Sequence, residues 1–113
     1  MSNSLFLSIP LAELGEGTMR TCSLGGHEIV VCRTKEGIFA LDNICTHAYA
    51  RLNEGRLRGT RLICPLHGAS FDVRDGRVLG APATRALATH PLRIAGDCVE
   101  ISVTAAAPKP LIL

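Results

Sequence analysis

Four side chains that can bind a transition metal lie in two short clusters of the 113-residue chain. Cys45 and His47 form the first cluster, written Cys-Thr-His, and Cys64 and His67 form the second, written Cys-Pro-Leu-His. Sixteen residues separate His47 from Cys64, and an apolar run precedes each cluster. Loops that leave neighbouring strands can bring two thiolates and two imidazoles around one metal centre. The sequence therefore predicts a Cys₂His₂ ligand set to which each loop contributes one sulfur and one nitrogen.

Two kinds of metal centre suit this ligand set. Zinc accepts it tetrahedrally, but the usual zinc arrangement places both cysteines on one loop and both histidines on another. A two-iron cluster with mixed ligands needs two cysteines on one iron and two histidines on the other iron. Because each loop here is mixed, the pattern favours the two-iron cluster, and a zinc-binding structural module is the alternative from a different class.

The pattern Cys-Thr-His, sixteen residues, Cys-Pro-Leu-His-Gly resembles the motif of Rieske iron–sulfur proteins, and the likeness continues through residues 68–72. In length and strand pattern the whole chain resembles the soluble Rieske ferredoxins of bacterial aromatic-ring-hydroxylating dioxygenases. This resemblance implies one Rieske [2Fe–2S] cluster per chain as the cofactor. It also implies that Cys45 and Cys64 hold the buried iron and that His47 and His67 hold the outer iron.

The elements that must position these ligands are short strands joined by close turns. Turn-forming pairs at Gly25-Gly26 and Gly96-Asp97 predict hairpins, and the one helix candidate is 10–17. The pattern predicts an all-β fold, a small antiparallel β sandwich or barrel, as a single domain over 1–113. The resemblance implies that a cluster-binding subdomain of about 43–82 is inserted in this β domain. Strands are predicted at 18–24, 27–33, 37–42, 60–65, 70–73, 77–80, 90–96 and 97–103.

The chain departs from the respiratory Rieske proteins in ways that bear on its chemistry. Those proteins join their loops by a disulfide, whereas the equivalent positions here are Ala50 and Leu66. They also place a Ser and a Tyr hydroxyl near the cluster, where this chain has Ala69 and Phe71. The neighbouring Ser70 is expected to point the other way, since side chains alternate along extended backbone. We therefore expect a midpoint potential at the low end of the Rieske range, roughly −150 mV.

Several residues near the two clusters have roles that the sequence leaves open. Gly80–Ala83 is the one candidate for the proline-containing loop that covers the cluster in the resembled family. Thr46 either serves the ligand loop or only satisfies a turn. Tyr49 and Leu66 either form an apolar rim through which a partner approaches the outer iron, or pack over the cluster.

The remaining histidines and cysteines are interpreted as structural. His27 and His90 lie on opposite flanks of the motif, so they are not expected to assemble the two-histidine, one-carboxylate iron site that a catalytic oxygenase needs. Cys22, Cys32 and Cys98 each fall in a strand pattern and are expected to be small buried hydrophobes.

Charge and composition limit the classes of partner that this protein is expected to bind. A net charge of +2 is too weak to indicate nucleic-acid binding, and no apolar run approaches the ~20 residues of a membrane span. The segment 51–61 has a net charge of +3, which predicts a solvated loop or a docking patch for an acidic partner. Five cysteines and no recognisable secretory signal favour a cytoplasmic protein without a disulfide framework.

The resemblance implies an electron carrier that transforms no substrate itself. It would accept single electrons from an NAD(P)H-dependent, flavin-containing ferredoxin reductase and deliver them to a terminal Rieske oxygenase, with monomer as the expected state. The alternative within electron transfer is the Rieske-type small subunit of an assimilatory nitrite reductase. All four ligand positions are intact here, which counts against that alternative.

Overall fold

The computed structural model describes residues 4–46, 49–66 and 68–104, and within these ranges the chain is built from eleven β-strands and two short 3₁₀ turns. The 3₁₀ turns are Leu11–Glu13 and Leu52–Glu54. No helix in this part of the chain has the length and apolar character needed to cross a bilayer. The strands are β1 Ser4–Pro10, β2 Met19–Leu24, β3 His27–Thr34, β4 Gly37–Asp42, β5 Arg56–Arg58, β6 Arg61–Ile63, β7 Ser70–Asp72, β8 Val78–Gly80, β9 Thr89–His90, β10 Leu92–Ala95 and β11 Cys98–Thr104.

The strands form three antiparallel sheets, which confirms the predicted all-β class. One sheet has the order β1-β11-β10, a second has β2-β3-β4-β9, and a third has β5-β6-β7-β8. The predicted hairpins at Gly25-Gly26 and Gly96-Asp97 are present, joining β2 to β3 and β10 to β11. Gly25 and Gly26 both have positive φ, at 59° and 81°, which is the backbone that a tight hairpin turn requires.

Two hydrophobic clusters lie on opposite faces of the second sheet. Val30, Cys32 and Leu41 belong to a cluster shared with the third sheet, whereas their strand neighbours Ile29 and Val31 belong to a cluster shared with the first sheet. This alternation is the two-residue period of a strand buried on both sides. The second sheet is therefore the central layer of the described fold.

Three expectations about local structure need correction. The helix predicted at 10–17 is wrong, because only Leu11–Glu13 forms a single 3₁₀ turn. The basic segment 51–61 is not merely a loop, since it contains the turn Leu52–Glu54 and strand β5. The first ten residues, without a strand prediction, supply β1, which pairs with β11 over its whole length.

Close backbone contacts pack the third sheet against its flanking loops. Gly55 lies directly against β6, where a Cβ atom would collide with the Ile63 carbonyl oxygen. Gly76 lies against the returning chain in the same way, with no room for a Cβ beside the Leu87 carbonyl oxygen. Glycine at these two positions lets the sheet and its flanking loops approach closely.

Candidate metal centre

Cys45 and Cys64 occupy equivalent positions in two matched loops. Cys45 follows β4 and Cys64 follows β6, and the thiol-bearing residues are only 4% and 2% exposed. The Cys45 N–H donates to the Ala50 carbonyl at 2.9 Å, and the Cys64 N–H donates to the Ala69 carbonyl at 2.7 Å. Each cysteine thus opens a loop that a backbone hydrogen bond closes five residues later.

The two cysteine side chains meet between the loops. Neither is in a disulfide, and they share a hydrogen bond. Burial raises the pKa of the Cys64 thiol, a hydrogen bond donated by the Leu66 N–H lowers it, and the contact with Cys45 raises it further. Two adjacent buried thiols without a disulfide form a pair of soft donors, which suits a buried iron or zinc ion.

The histidine partners in the predicted ligand set, His47 and His67, lie outside the described residues, as does Ala48. Two described residues near them in the chain are Tyr49 and Leu66. Tyr49 is 98% exposed and Leu66 is 44% exposed. Both residues therefore lie at the surface, as an apolar rim for an approaching partner requires.

The hydroxyl pattern around the thiols agrees with the sequence interpretation. Ala69 and Phe71 are fully buried in the hydrophobic cluster that contains Cys45 and Cys64. Ser70, between them, is buried on the other side, where its Oγ accepts a hydrogen bond from Arg61 Nη1 at 2.7 Å. No side-chain hydroxyl of residues 69–71 is therefore directed toward the thiols.

A third loop reaches the first ligand loop through Thr46. The Thr46 hydroxyl donates to the Arg85 carbonyl at 2.7 Å, a contact across 39 residues. Thr46 therefore does more than satisfy its own turn. Ala83, in the same returning segment, is 4% exposed and packs in the cluster with Cys45 and Cys64.

Asn43 is a positioning residue that the sequence interpretation missed. Its side chain is fully buried, donates to Asn53 Oδ1 at 2.7 Å and accepts from the Asn53 N–H at 2.9 Å. Its own backbone N–H donates to the Glu28 carbonyl, and its carbonyl accepts from the Leu52 N–H. Asn43 thereby clamps the chain immediately before Cys45. A signal was available, since a polar residue inside an apolar run next to a ligand is a common sign of such a clamp.

Asp72 anchors the turn after β7. Its carboxylate is 2% exposed, accepts two hydrogen bonds from the Arg74 guanidinium and contacts Arg77 at 3.3 Å. The hydrogen bonds with Arg74 hold the pKa of Asp72 at about 2, below its ordinary value of 3.8. The charge of this buried group is therefore compensated by two arginines.

The remaining cysteines mostly follow the structural interpretation. Cys32 is fully buried, and burial raises the pKa of its thiol to about 12. Cys22 and Cys98 are half-buried, so the expectation of full burial is wrong for these two. Burial also raises the pKa of the Cys22 thiol, partly offset by Arg20.

His27 and His90, which were not expected to assemble a site with a carboxylate, do come together in the structure. The two imidazole rings lie 5.1 Å apart between centroids and edge-on to one another. Both face the carboxylate of Asp42. The reason is that β9 pairs with β4 across 48 residues, which the spacing of the two histidines in sequence does not reveal.

The fold and the paired-thiol site define a Rieske-type iron–sulfur protein, and comparison with known proteins supports this class. The family model for the Rieske [2Fe-2S] domain matches residues 5–91, and the chain belongs to that family. The naphthalene 1,2-dioxygenase ferredoxin component of Pseudomonas aeruginosa is 38% identical over 97 residues, which cover 86% of this chain and 93% of the relative.

Two solved structures are similar across most of this chain. The ferredoxin of carbazole 1,9a-dioxygenase from Nocardioides aromaticivorans has a TM-score of 0.81 at 26% identity, covering 88% of this chain and 97% of the other. A ferredoxin in complex with the oxygenase of carbazole 1,9a-dioxygenase has a TM-score of 0.80 at 28% identity, covering 85% and 91%. The relatives that this chain matches over nearly their whole length are thus ferredoxins of dioxygenase systems.

The residues present fit the Rieske [2Fe–2S] cofactor of this family. The described part of the site supplies the two soft sulfur donors, already adjacent and buried, in matched loops. An apolar wall of Leu41, Leu62 and Phe71 packs around them, and such a wall controls solvent access and the local dielectric at a metal centre. The donor chemistry therefore agrees with a cluster whose inner iron is bound by two cysteines.

Proposed function

We propose that this chain is the ferredoxin component of a multicomponent aromatic-ring dioxygenase and transfers single electrons to its terminal Rieske oxygenase. The observation that carries this proposal is the pair of matched loops, each opening on a buried cysteine, in a chain whose relatives are dioxygenase ferredoxins. These relatives favour this function over the small subunit of a nitrite reductase.

We assign four residues to the cofactor: Cys45, His47, Cys64 and His67. When bound, the Rieske cluster takes up and releases one electron, and its two neutral imidazoles raise its potential above that of an all-cysteine cluster. Because Cys45 and Cys64 are buried, they would hold the cysteine-bound iron on the inner side. The Leu66 N–H donates to the Cys64 sulfur, and a hydrogen bond to a ligating thiolate stabilises added negative charge there.

The cluster-binding subdomain is proposed to span about 43–82. This range includes the whole third sheet and both ligand loops, and Asn43 clamps its beginning. The loop Gly80–Ala83 is proposed to cover the cluster from the third side. Supporting this, Ala83 is buried beside the two cysteines and the following segment is tied to Thr46.

The surface around Tyr49 and Leu66 is proposed as the docking site for the oxygenase. These side chains are large, apolar and exposed, and they belong to the two ligand loops. An apolar rim excludes water when a partner docks and lets the two centres approach closely. Arg56 is exposed on β5 and lines a surface cleft with Pro65 and Gly68 of the second ligand loop, so it provides positive charge beside this rim for steering toward an acidic partner.

The electron donor is proposed to be an NAD(P)H-dependent, flavin-containing ferredoxin reductase. The chain is proposed to work as a cytoplasmic monomer, and five cysteines without a disulfide suit a reducing compartment. The aromatic substrate would be bound by the oxygenase.

Reconstitution with a purified reductase and terminal oxygenase tests the function. Product formation should depend on this protein, and equal turnover when it is omitted would contradict the proposal. Leu66→Glu should slow electron delivery to the oxygenase, because it places a charge in the apolar rim. Phe6→Glu is the matched control, since Phe6 is also an exposed apolar residue, at 64%, but lies on the three-stranded sheet. Equal effects of the two variants would contradict the docking site.

A further inference from the structure

Two histidines and one aspartate converge on the central sheet, apart from the thiol pair. His27 begins β3, Asp42 ends β4 and His90 ends β9. One ligand atom from each side chain lies within 4.8 Å of the others. We call this group the His27–Asp42–His90 triad.

The strand register explains why the triad forms. Asp42 pairs with Ile29, two residues after His27, and His90 pairs with Ala40, two residues before Asp42. Residues two apart share a face, so all three side chains project from the same side of three adjacent strands. Each histidine is a diagonal neighbour of Asp42, at a separation that long side chains bridge.

The triad lies on the face of the sheet opposite to the thiol pair. Its face carries Ile29 and Ala40, which belong to the cluster shared with the first sheet. Cys45 and Cys64 belong to the other cluster. The two groups of metal-binding side chains are thus separated by the sheet itself.

The triad is spaced for a small cation. Asp42 Oδ1 lies 2.7 Å from His90 Nε2 and 3.8 Å from His27 Nδ1. A tetrahedral ion with ligands at 2.0–2.1 Å holds them roughly 3.4 Å apart. The two separations from Asp42 differ from that spacing by roughly 0.4–0.7 Å, and all three ligand atoms lie within 4.8 Å of one another. Small side-chain movements would therefore bring them to a ligating geometry, with the hydrogen bond between His90 and Asp42 replaced by metal ligation.

Exposure and charge also suit ion entry. The His90 side chain is 8% exposed, whereas those of His27 and Asp42 are 31% and 36% exposed, so the group opens to solvent on one side. Arg74 lines the same cleft as His90, but its guanidinium is bound by Asp72 and Glu36. The nearby positive charge is therefore compensated by two carboxylates.

We propose that the His27–Asp42–His90 triad is a second metal site, which binds one divalent first-row transition ion such as Zn²⁺. Two imidazole nitrogens and one carboxylate oxygen suit such an ion better than Ca²⁺ or Mg²⁺, which prefer oxygen ligands. The ion would link β3, β4 and β9 and would keep its remaining position for water. The site is independent of the electron-carrier function.

Zinc content of the holoprotein tests the proposal. Protein with its cluster intact is incubated with Zn²⁺, passed through a desalting column and assayed for zinc and iron. We expect one zinc per chain, with iron content and visible spectrum unchanged. His27→Gln and Asp42→Asn should each weaken zinc binding by at least about 10-fold, the lower end of what loss of an outer-sphere partner costs.

Glu28→Gln is the matched control, because Glu28 is a neighbouring carboxylate that pairs with Arg51 instead of the triad. It should bind zinc as the wild type does. His27 and Asp42 are both partly exposed, so their variants are expected to fold, and circular dichroism checks this. No retained zinc, equal zinc in Asp42→Asn, or zinc uptake matched by loss of iron would each overturn the proposal.

Discussion

Supplying the hydroxyls that the ligand loops lack should raise the midpoint potential. Ala69 and Phe71 are fully buried in the cluster that contains both cysteines, so Ala69→Ser and Phe71→Tyr would place hydroxyls beside the sulfurs. A hydrogen bond to a charged acceptor contributes about 1.5–3 kcal/mol, and ~1.4 kcal/mol corresponds to ~59 mV for one electron. If each bond formed only in the reduced state, each hydroxyl would add at most ~65–130 mV. Sulfur is a weak acceptor, so the rise should be smaller.

Potentiometric titration of the wild type, the two single variants and the double variant measures this shift. The wild type should titrate at roughly −150 mV, the low end of the Rieske range, and the double variant should be the most positive of the four. Ser70→Ala is the matched control, since its hydroxyl is bound to Arg61 on the other side of the strand. An unchanged midpoint in the double variant, with normal iron content and spectrum, would refute the reasoning. So would an equal shift in Ser70→Ala.

Three further predictions concern the supports of the site. Asn43→Ala should lower cluster retention and destabilise the fold by about 1–3 kcal/mol, because the substitution leaves buried backbone and amide groups without hydrogen-bond partners. Cluster retention and urea unfolding equal to those of the wild type would contradict this prediction. Gly55→Ala should impair cluster assembly, because its Cβ would collide with a β6 carbonyl. Gly15→Ala should assemble normally, because its Cβ would make only ordinary van der Waals contacts with Thr18. Equal iron contents in the two variants would argue against this prediction. Asp72→Asn should destabilise the protein at pH 7 by about 1–2 kcal/mol, since one pKa unit corresponds to about 1.4 kcal/mol and solvent screens its arginine partners. The pKa of Asp72 in the folded protein is depressed to about 2. The difference in unfolding free energy between the wild type and Asp72→Asn should therefore stay constant from pH 8 to pH 5 in urea titrations and shrink only as the carboxyl protonates below about pH 4. A difference that disappears above pH 5 would contradict this prediction.

Local chemistry made part of the fold predictable from sequence. The hairpin at Gly25-Gly26 is encoded by two residues that accept positive φ, and it is present. Strand β5 was missed because Arg-Leu-Arg contains one apolar side chain and is indistinguishable from a solvated loop. The helix at 10–17 was predicted from composition, but glycines at 15 and 17 leave too few residues for a stable helix.

In the site, too, the features that depend on local sequence could be predicted, and the features that depend on long-range packing could not. The motif spacing indicated that Cys45 and Cys64 lie together, and the structure confirms that they do. The contact of Thr46 with Arg85 and the meeting of His27 with His90 depend on how distant segments pack. Such pairings follow from sheet order, which no short window of sequence encodes.

Iron and acid-labile sulfide analysis of anaerobically purified protein tests the central claim most directly. The protein should contain two irons and two sulfides per chain. Cys45→Ala and Cys64→Ala should lose them, and Cys22→Ala, whose thiol lies on the other face of the central sheet, should retain them. A wild-type protein that contains neither iron nor sulfide, or ligand variants that keep both, would contradict it.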